Sequence, residues 1–240
     1  MKIRDSVAFV TGANRGIGLE FARALVAAGA RKVYAAARDP DSISIDGVER
    51  VGLDVTQPET IAAAARRAND VDLLINNAGI ALWLDFLAAD SLQAARSEME
   101  TNYFGPLEIS RAFAPILAQN GGGAIINMLS VVSWVAVPTG GTYSASKAAA
   151  WSLTNGLRRD LKGQGTQVIG VHVGPVDTDL ARQLTFPKVK AAEVVRQALS
   201  ALEAGRPEVL VDEMTRQVKA GLSADSSVYL DFDPRRGAAA

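Results

Sequence analysis

The sequence predicts an α/β protein in which a doubly wound parallel sheet is covered by helices on both faces. Seven short apolar runs alternate with longer helix-like stretches, and several runs are almost wholly apolar, as strands buried on both faces should be. A glycine-rich turn joins the first run directly to the first helical stretch. Together these observations favour a parallel sheet with right-handed crossovers.

The seven runs and the stretches between them predict the individual elements. Strands are expected at 6–10, 32–37, 48–53, 71–75, 124–129, 167–173 and 208–211, with helices at 17–28, 58–68, 91–119, 143–161 and 189–203. Segment 177–188 is predicted to be an irregular loop or short helix that acts as a lid. No repeat or long linker divides the chain, so residues 1–240 are expected to form a single domain. From about residue 224 the sequence is polar and small, and this tail is expected to be poorly ordered or held by a neighbouring subunit.

Charge and composition limit the possible partners. The formal net charge is −1 and no concentrated Lys/Arg stretch is present, which speaks against nucleic acid or an anionic membrane as a partner. No apolar run reaches the roughly 18 residues that span a bilayer, and no signal-peptide core develops, so a cytoplasmic protein is expected. The lack of cysteine and the single histidine speak against a metal site, and no metal is expected.

The run TGANRGIG at 11–18 has the context of a dinucleotide-binding turn, because it follows an apolar strand and precedes a helix. Gly12, Gly16 and Gly18 would let the backbone approach a pyrophosphate, whose charge is stabilised by free N–H groups at the helix start. An ordinary strand-to-helix turn is the alternative. Asn14, Arg15 and Ile17 complete the predicted cofactor-binding turn.

The end of the second predicted strand indicates which dinucleotide binds. Where an acidic residue would hold the ribose 2′-hydroxyl, the sequence VYAAARD has alanines followed by Arg38. Arg38, with Arg15 as a second positive charge, suits a 2′-phosphate, so NADP(H) is predicted as the cofactor. Asp39 is the counterargument, but before Pro40 it is typical of a turn. A solvated Arg38 is the other alternative.

Tyr143 and Lys147 stand four residues apart in the run YSASK, with Ser130 thirteen residues upstream. At this spacing a phenol and an ammonium share one helix face, and the cation is expected to lower the pKa of the phenol. The three residues predict a site at which Tyr143 exchanges a proton with a substrate oxygen while Ser130 holds that oxygen. Alcohol oxidation at such a site should improve as pH rises. Taken alone, the pair fits an ordinary amphipathic helix equally well.

The ordered set of motifs resembles the short-chain dehydrogenase/reductase family in its single-domain form. TGANRGIG, NNAG at 76–79, Asn102, Ser130, YSASK and the GPVDT that begins at Gly174 occur in the family's order over nearly the whole chain. The resemblance implies a seven-stranded Rossmann sheet, a nicotinamide cofactor that exchanges hydride with the substrate carbon, and a tetrad formed by Asn102, Ser130, Tyr143 and Lys147. It also implies that Lys147 binds the nicotinamide ribose and that Asn102 holds a water of a proton relay.

The resemblance places further residues along the cofactor. These are Asp54 and Val55 near the adenine, Asn76, Ala78 and Gly79 along its length, Tyr143 and Lys147 at the ribose, and Pro175, Val176 and Thr178 beside the nicotinamide. Local chemistry also allows routine roles, because Asp54 suits a helix cap, the Asn–Gly run suits a turn and an isolated Asn102 suits a helix cap or kink.

Apolar residues that flank the tetrad predict a hydrophobic substrate pocket. They are Val131, Trp134, Pro138, Thr139, Leu180, Leu184 and Phe186, with Ser130, Val131, Trp134, Leu180 and Phe186 as the predicted substrate contacts. Such a pocket suits a hydrophobic ketone or secondary alcohol, because a buried charge without a partner is costly. Trp134 fits the core or an interface equally well. Arg182, Arg158 and Arg159 are candidate anchors for an acidic group, and His172 is expected in the core.

The main hypothesis is the NADPH-dependent reduction of a ketone or aldehyde to an alcohol, reversible as alcohol oxidation. A reductase of carrier-bound β-ketoacyl groups is the nearest alternative among enzymes. A non-catalytic NADP-binding regulator is the alternative of another class, and a broken tetrad would be its signature. By resemblance, a homotetramer or homodimer is expected to form through the helical stretches 101–119 and 143–161.

Overall fold

The computed structural model describes residues 1–224 and 228–232, and its centre is one parallel sheet. The strands are β1 (Val7–Thr11), β2 (Lys32–Ala37), β3 (Glu49–Gly52), β4 (Leu73–Asn76), β5 (Ala124–Met128), β6 (Gln167–His172) and β7 (Glu208–Leu210). They pair in the order β3-β2-β1-β4-β5-β6-β7, with every neighbouring pair parallel. The predicted seven-stranded parallel sheet is therefore confirmed.

The helices of the described residues cover both faces of the sheet. They are α1 (Gly16–Ala27), α2 (Pro58–Arg67), α3 (Ser91–Met99), α4 (Gly105–Gln119), α5 (Gly141–Asp160), α6 (Ala191–Glu203) and α7 (Glu213–Gly221). A π-helical turn, Glu100–Phe104, divides the long helical stretch that the sequence predicts between α3 and α4. The predicted loop at 177–188 holds one 3₁₀ turn, Asp179–Ala181. Helix α7 was not predicted.

Successive side chains of each strand point to opposite faces of the sheet, so each face has its own apolar core. Ala8 and Val10 of β1 pack in one cluster with residues of α1 and α6, whereas Val7 and Phe9 pack in a second cluster with residues of α2 and α4. The rings of Phe9 and Phe113 are 4.8 Å apart between their centroids. Because both faces are covered, both sets of strand residues must be apolar, which explains the apolar runs in the sequence.

The strand order reverses direction at the junction of β1 and β4. From β1 the chain proceeds to β2 and β3 on one side, then returns to β4 on the other. Loops at the carboxyl ends of these two strands diverge, and a crevice opens between them. The glycine turn after β1 and the NNAG run at the end of β4 both fall at this crevice.

The expected lack of a membrane-spanning segment and the predicted tail can be compared with the structure only within the described residues. In the described ranges 1–224 and 228–232, no helix combines the length and hydrophobicity that a membrane crossing requires. The predicted tail falls mostly on residues 225–227 and 233–240, which lie outside the described residues. Within the described part of the tail, Val228 and Phe232 pack against a small apolar cluster that contains Tyr143 and Val218.

His172, the chain's single histidine, is buried in β6 as a core residue. Its ring stacks on Trp134 at 3.9 Å between centroids, and its Nδ1 lies 3.2 Å from the carbonyl oxygen of Ser130. Burial lowers the pKa of the imidazole to about 3. Glu208 lies 3.6 Å from Nε2 and also pairs with Lys219 at 3.1 Å. The bond with the Ser130 carbonyl oxygen opposes the lowering of the pKa, whereas the positive charges of Lys219, Arg158 and Lys147 add to it.

We expect the acid sensitivity of the fold to depend partly on His172. Because the pKa in the folded state is below the ordinary 6.5, the unfolded chain binds more protons between these values and the free energy of unfolding falls as pH drops below 6.5. Between pH 6.5 and 4.5 the parental protein should lose about 2 kcal/mol more than His172→Asn. Urea unfolding at both pH values measures this difference, and equal losses in the two proteins would contradict it.

Candidate active site

A cleft of about 900 Å³ lies at the carboxyl ends of the central strands. Its lining includes most residues that the sequence predicts around a cofactor: Gly12, Asn14, Arg15, Gly16, Ile17, Arg38, Asp54, Val55, Ala78, Gly79, Tyr143, Lys147, Pro175, Val176 and Thr178. Gly18 and Asn76 are the predicted cofactor residues that do not line it. Residues from six separated stretches of sequence thus meet in one cavity, because β1, β2, β3, β4 and β6 end at the same edge of the sheet and α5 lies beside it.

Two glycines of the turn are required by close backbone contacts. Gly12 has φ +64°, and a Cβ added to it would lie 3.0 Å from the Cα of Ala78. A Cβ added to Gly18 would lie 2.2 Å from the carbonyl oxygen of Gly12, which is a severe clash. Gly18 therefore lets α1 pack onto the turn and, contrary to the prediction, does not face the cleft itself.

The floor of the cleft is a hydrogen-bonded clamp between the ends of β1 and β4. The hydroxyl of Thr11 accepts from the backbone N–H groups of Asn77 and Ala78, each at 3.0 Å. The Asn77 amide donates to the carbonyl oxygens of Thr11 and Gly12 at 2.9 and 3.2 Å. The sequence analysis missed Thr11 and Asn77, although the Asn76–Asn77 doublet marks the place.

Asn76 lies behind the cleft instead of in its lining. It is the last residue of β4, and its amide donates to the hydroxyl of Ser110 at 3.1 Å and to the Asn127 carboxamide at 2.9 Å. Strand alternation explains the placement, because Asn76 and Asn77 must point in different directions. The predicted contact of Asn76 with a cofactor is replaced by a buried polar network.

The residues that follow β2 form a polar region of the cleft. Arg38 is exposed and lines it, and the Asp39 carboxylate accepts from the N–H of Asp41 at 3.0 Å, as a turn residue does. Ser42, which the sequence analysis missed, also lines the cleft and accepts a hydrogen bond from the Asn14 amide at 3.2 Å. These groups can receive a phosphate because they offer a cation, a hydroxyl and an amide together.

Arg15 lines the cleft and pairs with a carboxylate there. Its guanidinium pairs with Asp179 at 3.3 Å, across the cleft mouth from the glycine turn to the 3₁₀ turn of segment 177–188. Both side chains are largely exposed, so the pair adds little stability in water and is readily exchanged for another anion.

Ser130, Tyr143 and Lys147 converge at the other end of the cleft, as the sequence predicts. Ser130 caps the short turn Val131–Ser133, and its hydroxyl donates to the Val173 carbonyl oxygen at a long 3.4 Å. Tyr143 and Lys147 lie on α5 and are both buried. The Lys147 ammonium donates to the carbonyl oxygen of Met128 at 3.0 Å and lies 5.8 Å from the centroid of the Tyr143 ring.

Asn102 stands in the π-helical turn and supports this group from behind. Its carboxamide accepts from the N–H of Ile80 and donates to the Ile80 carbonyl oxygen, both at 2.9 Å. It also donates to the Ser146 hydroxyl on α5 at 2.9 Å. Asn102 is buried and is not part of the lining of the large cleft. It contacts α5 and the loop that follows β4, and it borders a small cavity beside Lys147.

Burial sets the protonation states of the two titratable groups. It raises the pKa of the Tyr143 phenol far above its ordinary value, the Glu98 carboxylate raises it further, and a hydrogen bond with the Ser130 hydroxyl opposes this. Burial also lowers the pKa of Lys147 to about 8. The expected lowering of the phenol pKa by Lys147 is therefore overridden by desolvation in this structure. At neutral pH Tyr143 holds its proton, which suits an acid.

Glu98 is a buried carboxylate that the sequence analysis missed. It lies on α3 with no exposed surface, and its Oε1 accepts from the N–H of Leu82 at 2.7 Å. Among the described residues, Oε2 has no hydrogen-bond partner. Nothing in the sequence distinguishes it from the solvated glutamates of other helices, because its burial depends on the packing of the loop after β4 over α3.

The substrate end of the cleft is largely apolar. The predicted residues Val131, Pro138, Thr139, Leu180, Leu184 and Phe186 line it, together with the unpredicted Trp83, Val137, Met214 and Phe232. Trp134 does not, because it is buried between His172 and Trp151, where its ring stacks on the first and meets the edge of the second. The three candidate anchors for an acidic group also lie outside the lining: Arg158 donates to the Val168 and Pro207 carbonyl oxygens, Arg159 pairs with Asp160, and Arg182 bonds Asp179.

A doubly wound parallel sheet with a glycine turn at its switch point and a Ser–Tyr–Lys group in the same cleft is typical of a dinucleotide-binding oxidoreductase. Residues 6–188 match the sequence profile of the family described as short chain dehydrogenase. The chain belongs to this family.

One solved structure and two related proteins are consistent with this assignment. A short-chain dehydrogenase of Burkholderia cenocepacia J2315, solved in complex with NADP, is 46% identical, with a TM-score of 0.90 over 94% of this chain and 95% of that one. A galactitol 2-dehydrogenase (L-tagatose-forming) of Cereibacter sphaeroides is 34% identical over 76% of each chain. The mouse dehydrogenase/reductase SDR family member 7B is 32% identical over 75% of this chain, which spans only 60% of the mouse protein.

We expect Glu98→Gln to shift the pH profile of alcohol oxidation to lower pH. Glutamine keeps an acceptor for the Leu82 N–H but removes the negative charge that raises the pKa of Tyr143. The Tyr143 phenolate, which the sequence predicts as the base for oxidation, should then form at a pH about 1 unit lower. The pH dependence of kcat/KM measures the shift, with the exposed Glu100→Gln as the matched control. A profile for Glu98→Gln that superimposes on the parental one would contradict it.

Proposed function

We propose that this protein is an NADP(H)-dependent reductase of hydrophobic ketones or aldehydes that also runs in reverse as an alcohol dehydrogenase. The observation that carries the proposal is the buried, protonated phenol of Tyr143 in the same cleft as the glycine turn. Ser130 and Lys147 border that phenol, so an acid, a hydroxyl donor and a cation share one site.

The nucleotide end of the cleft fits NADP(H). Gly12 leaves room for a pyrophosphate beside the start of α1, and the cleft is large enough for a dinucleotide and a small substrate. Arg38, Ser42 and Asn14 suit a 2′-phosphate, and the Burkholderia structure, which holds NADP, supports the same choice. Bound NADPH would supply the hydride for the carbonyl carbon.

The chain's own residues would supply the rest of the chemistry. The Tyr143 hydroxyl donates its proton to the carbonyl oxygen, and the Ser130 hydroxyl turns from its long bond to Val173 to donate to the same oxygen. The Lys147 ammonium then stabilises the phenolate that remains, since the cation lies 5.8 Å from the ring. In oxidation the proton moves the opposite way, from alcohol to phenolate.

The lining favours a hydrophobic carbonyl over a carrier-bound acyl group. The side chains around Tyr143 are mostly apolar, and Arg158, Arg159 and Arg182 lie outside the cleft, so they do not supply the predicted acidic anchor. The intact Ser–Tyr–Lys group supports an enzyme over a cofactor-binding regulator. The homotetramer or homodimer and the cytoplasmic location stay predictions.

The direct test is Tyr143→Phe, assayed by NADPH consumption with a panel of ketones and aldehydes. Removing the acid should lower kcat by about 10²- to 10⁴-fold while NADPH binding, followed by fluorescence, is unchanged. Tyr34→Phe is the control, since that hydroxyl bonds Asp70 outside the cleft. Parental turnover by Tyr143→Phe would refute the acid role, and NADPH binding without turnover of any carbonyl would favour the regulator.

A second test concerns the cofactor. Arg38→Asp should reduce the preference for NADPH over NADH by about 10- to 100-fold, because it replaces a charged hydrogen-bond donor to the 2′-phosphate with a repelling carboxylate. Arg66→Asp, at an exposed site on α2 outside the cleft, should leave the preference unchanged. The ratio of kcat/KM values for the two coenzymes measures the effect, and an unaltered ratio in Arg38→Asp would remove Arg38 from this role.

A further inference from the structure

Segment 80–86, which follows β4, carries a tryptophan in an unusual backbone conformation. Trp83 has φ +56°, in the left-handed region that glycine favours and that bulky side chains rarely adopt. Such a conformation persists only where the surroundings hold it, and it is concentrated at functional sites. The contacts of segment 80–86 show what holds Trp83 and where its ring is directed.

The segment is fixed from two sides. The buried Glu98 carboxylate accepts from the N–H of Leu82, next to Trp83, at 2.7 Å. On the other side the Asp85 carboxylate accepts from the N–H of Thr139 at 2.5 Å. Phe86 packs so closely on Gly141, at the start of α5, that a Cβ there would lie 2.6 Å from its ring. Trp83 is therefore held between α3 and α5.

The held indole contacts both the phenol and the loop above it. Its ring lies 5.4 Å from the Tyr143 ring between centroids, at an angle of 49°. Its Nε1 donates to the carbonyl oxygen of Leu180 at 3.1 Å, in segment 177–188. Trp83 thus forms the cleft wall beside the acid and ties that wall to the loop that covers the substrate end.

We propose that Trp83 is the residue that determines substrate specificity: its indole face receives a flat apolar substituent of the carbonyl substrate, and its bond to Leu180 holds segment 177–188 over that substituent. This inference rests on the proposed function, since it requires a carbonyl at Tyr143. Leu180, Leu184, Phe186 and Met214 line the same end. A polyhydroxy ketone would leave hydroxyls unpaired against these side chains, whereas an aryl group would stack on the indole. The substrate class is therefore an aryl ketone.

The test compares acetophenone with 2-butanone, using NADPH as reductant, in the parental protein, Trp83→Ala and Trp83→Phe. For acetophenone, Trp83→Ala should lower kcat/KM at least tenfold, mainly through KM, and for 2-butanone it should change kcat/KM less than threefold. Trp83→Phe keeps a flat ring and should retain most of the preference for acetophenone. Trp151→Phe, whose ring packs on Trp134 outside the cleft, is the matched control.

Limited trypsin digestion tests the bond to Leu180 independently of turnover. Arg182 is an exposed cleavage site in segment 177–188, so loss of the Nε1 donor should speed cleavage after it in both Trp83 variants and not in Trp151→Phe. Melting temperature and NADPH binding confirm that each variant folds.

The possible failures are distinguishable. An equal loss for both ketones, or unchanged kinetics in Trp83→Ala, overturns the specificity role of Trp83 and leaves the proposed function standing. Unchanged cleavage after Arg182 overturns the role of the Leu180 bond. If the parental protein binds NADPH but reduces no carbonyl, the proposed function fails, and the substrate role of Trp83 fails with it.

Discussion

The site depends on the close approach of two backbones at the ends of β1 and β4. Gly12 lies against Ala78, and the Thr11 hydroxyl and the Asn77 amide join the two chain segments with four hydrogen bonds. This contact fixes the glycine turn relative to the loop that leads to segment 80–86. The nucleotide end and the substrate end of the cleft are therefore built on one rigid junction, because each begins at one of these two strands.

Burial of Tyr143 and Lys147 disfavours the charged form of each side chain. The interior that keeps the phenol protonated also lowers the pKa of Lys147 to about 8, because desolvation disfavours both the phenolate and the ammonium. Within residues 1–224 and 228–232, the Lys147 ammonium has one hydrogen bond, to the carbonyl oxygen of Met128. The protein thus holds a buried ammonium near the phenol that, in the proposed reaction, becomes negatively charged on giving up its proton, and such a pre-placed cation stabilises that charge as it forms.

The fold was predictable because strand and helix patterns reflect local burial. Apolar runs located all seven strands within a few residues, and the spacing of Tyr143 and Lys147 placed both on one face of α5. Residues whose position depends on tertiary contacts were not predictable. Asn76 was predicted at the cofactor instead of Asn77, because the end of β4 cannot be located to a single residue from the sequence. Trp134 was predicted in the pocket, because its stack on His172 joins residues distant in sequence and leaves no local signal. Glu98 and Trp83 were missed for the same reason, since their roles arise from loop packing.

Segment 177–188 connects the two ends of the cleft. Within its 3₁₀ turn, Asp179 pairs with Arg15 of the glycine turn, and the next residue, Leu180, accepts from the Trp83 indole. Both contacts are exposed, and the second joins the turn to segment 80–86, which Glu98 and Thr139 hold in place. Because these contacts come from adjacent residues, movement of this turn alters both ends at once. An anion that takes the place of Asp179 at Arg15 therefore also disturbs the bond between Leu180 and Trp83, so the two ends of the cleft are coupled through this turn.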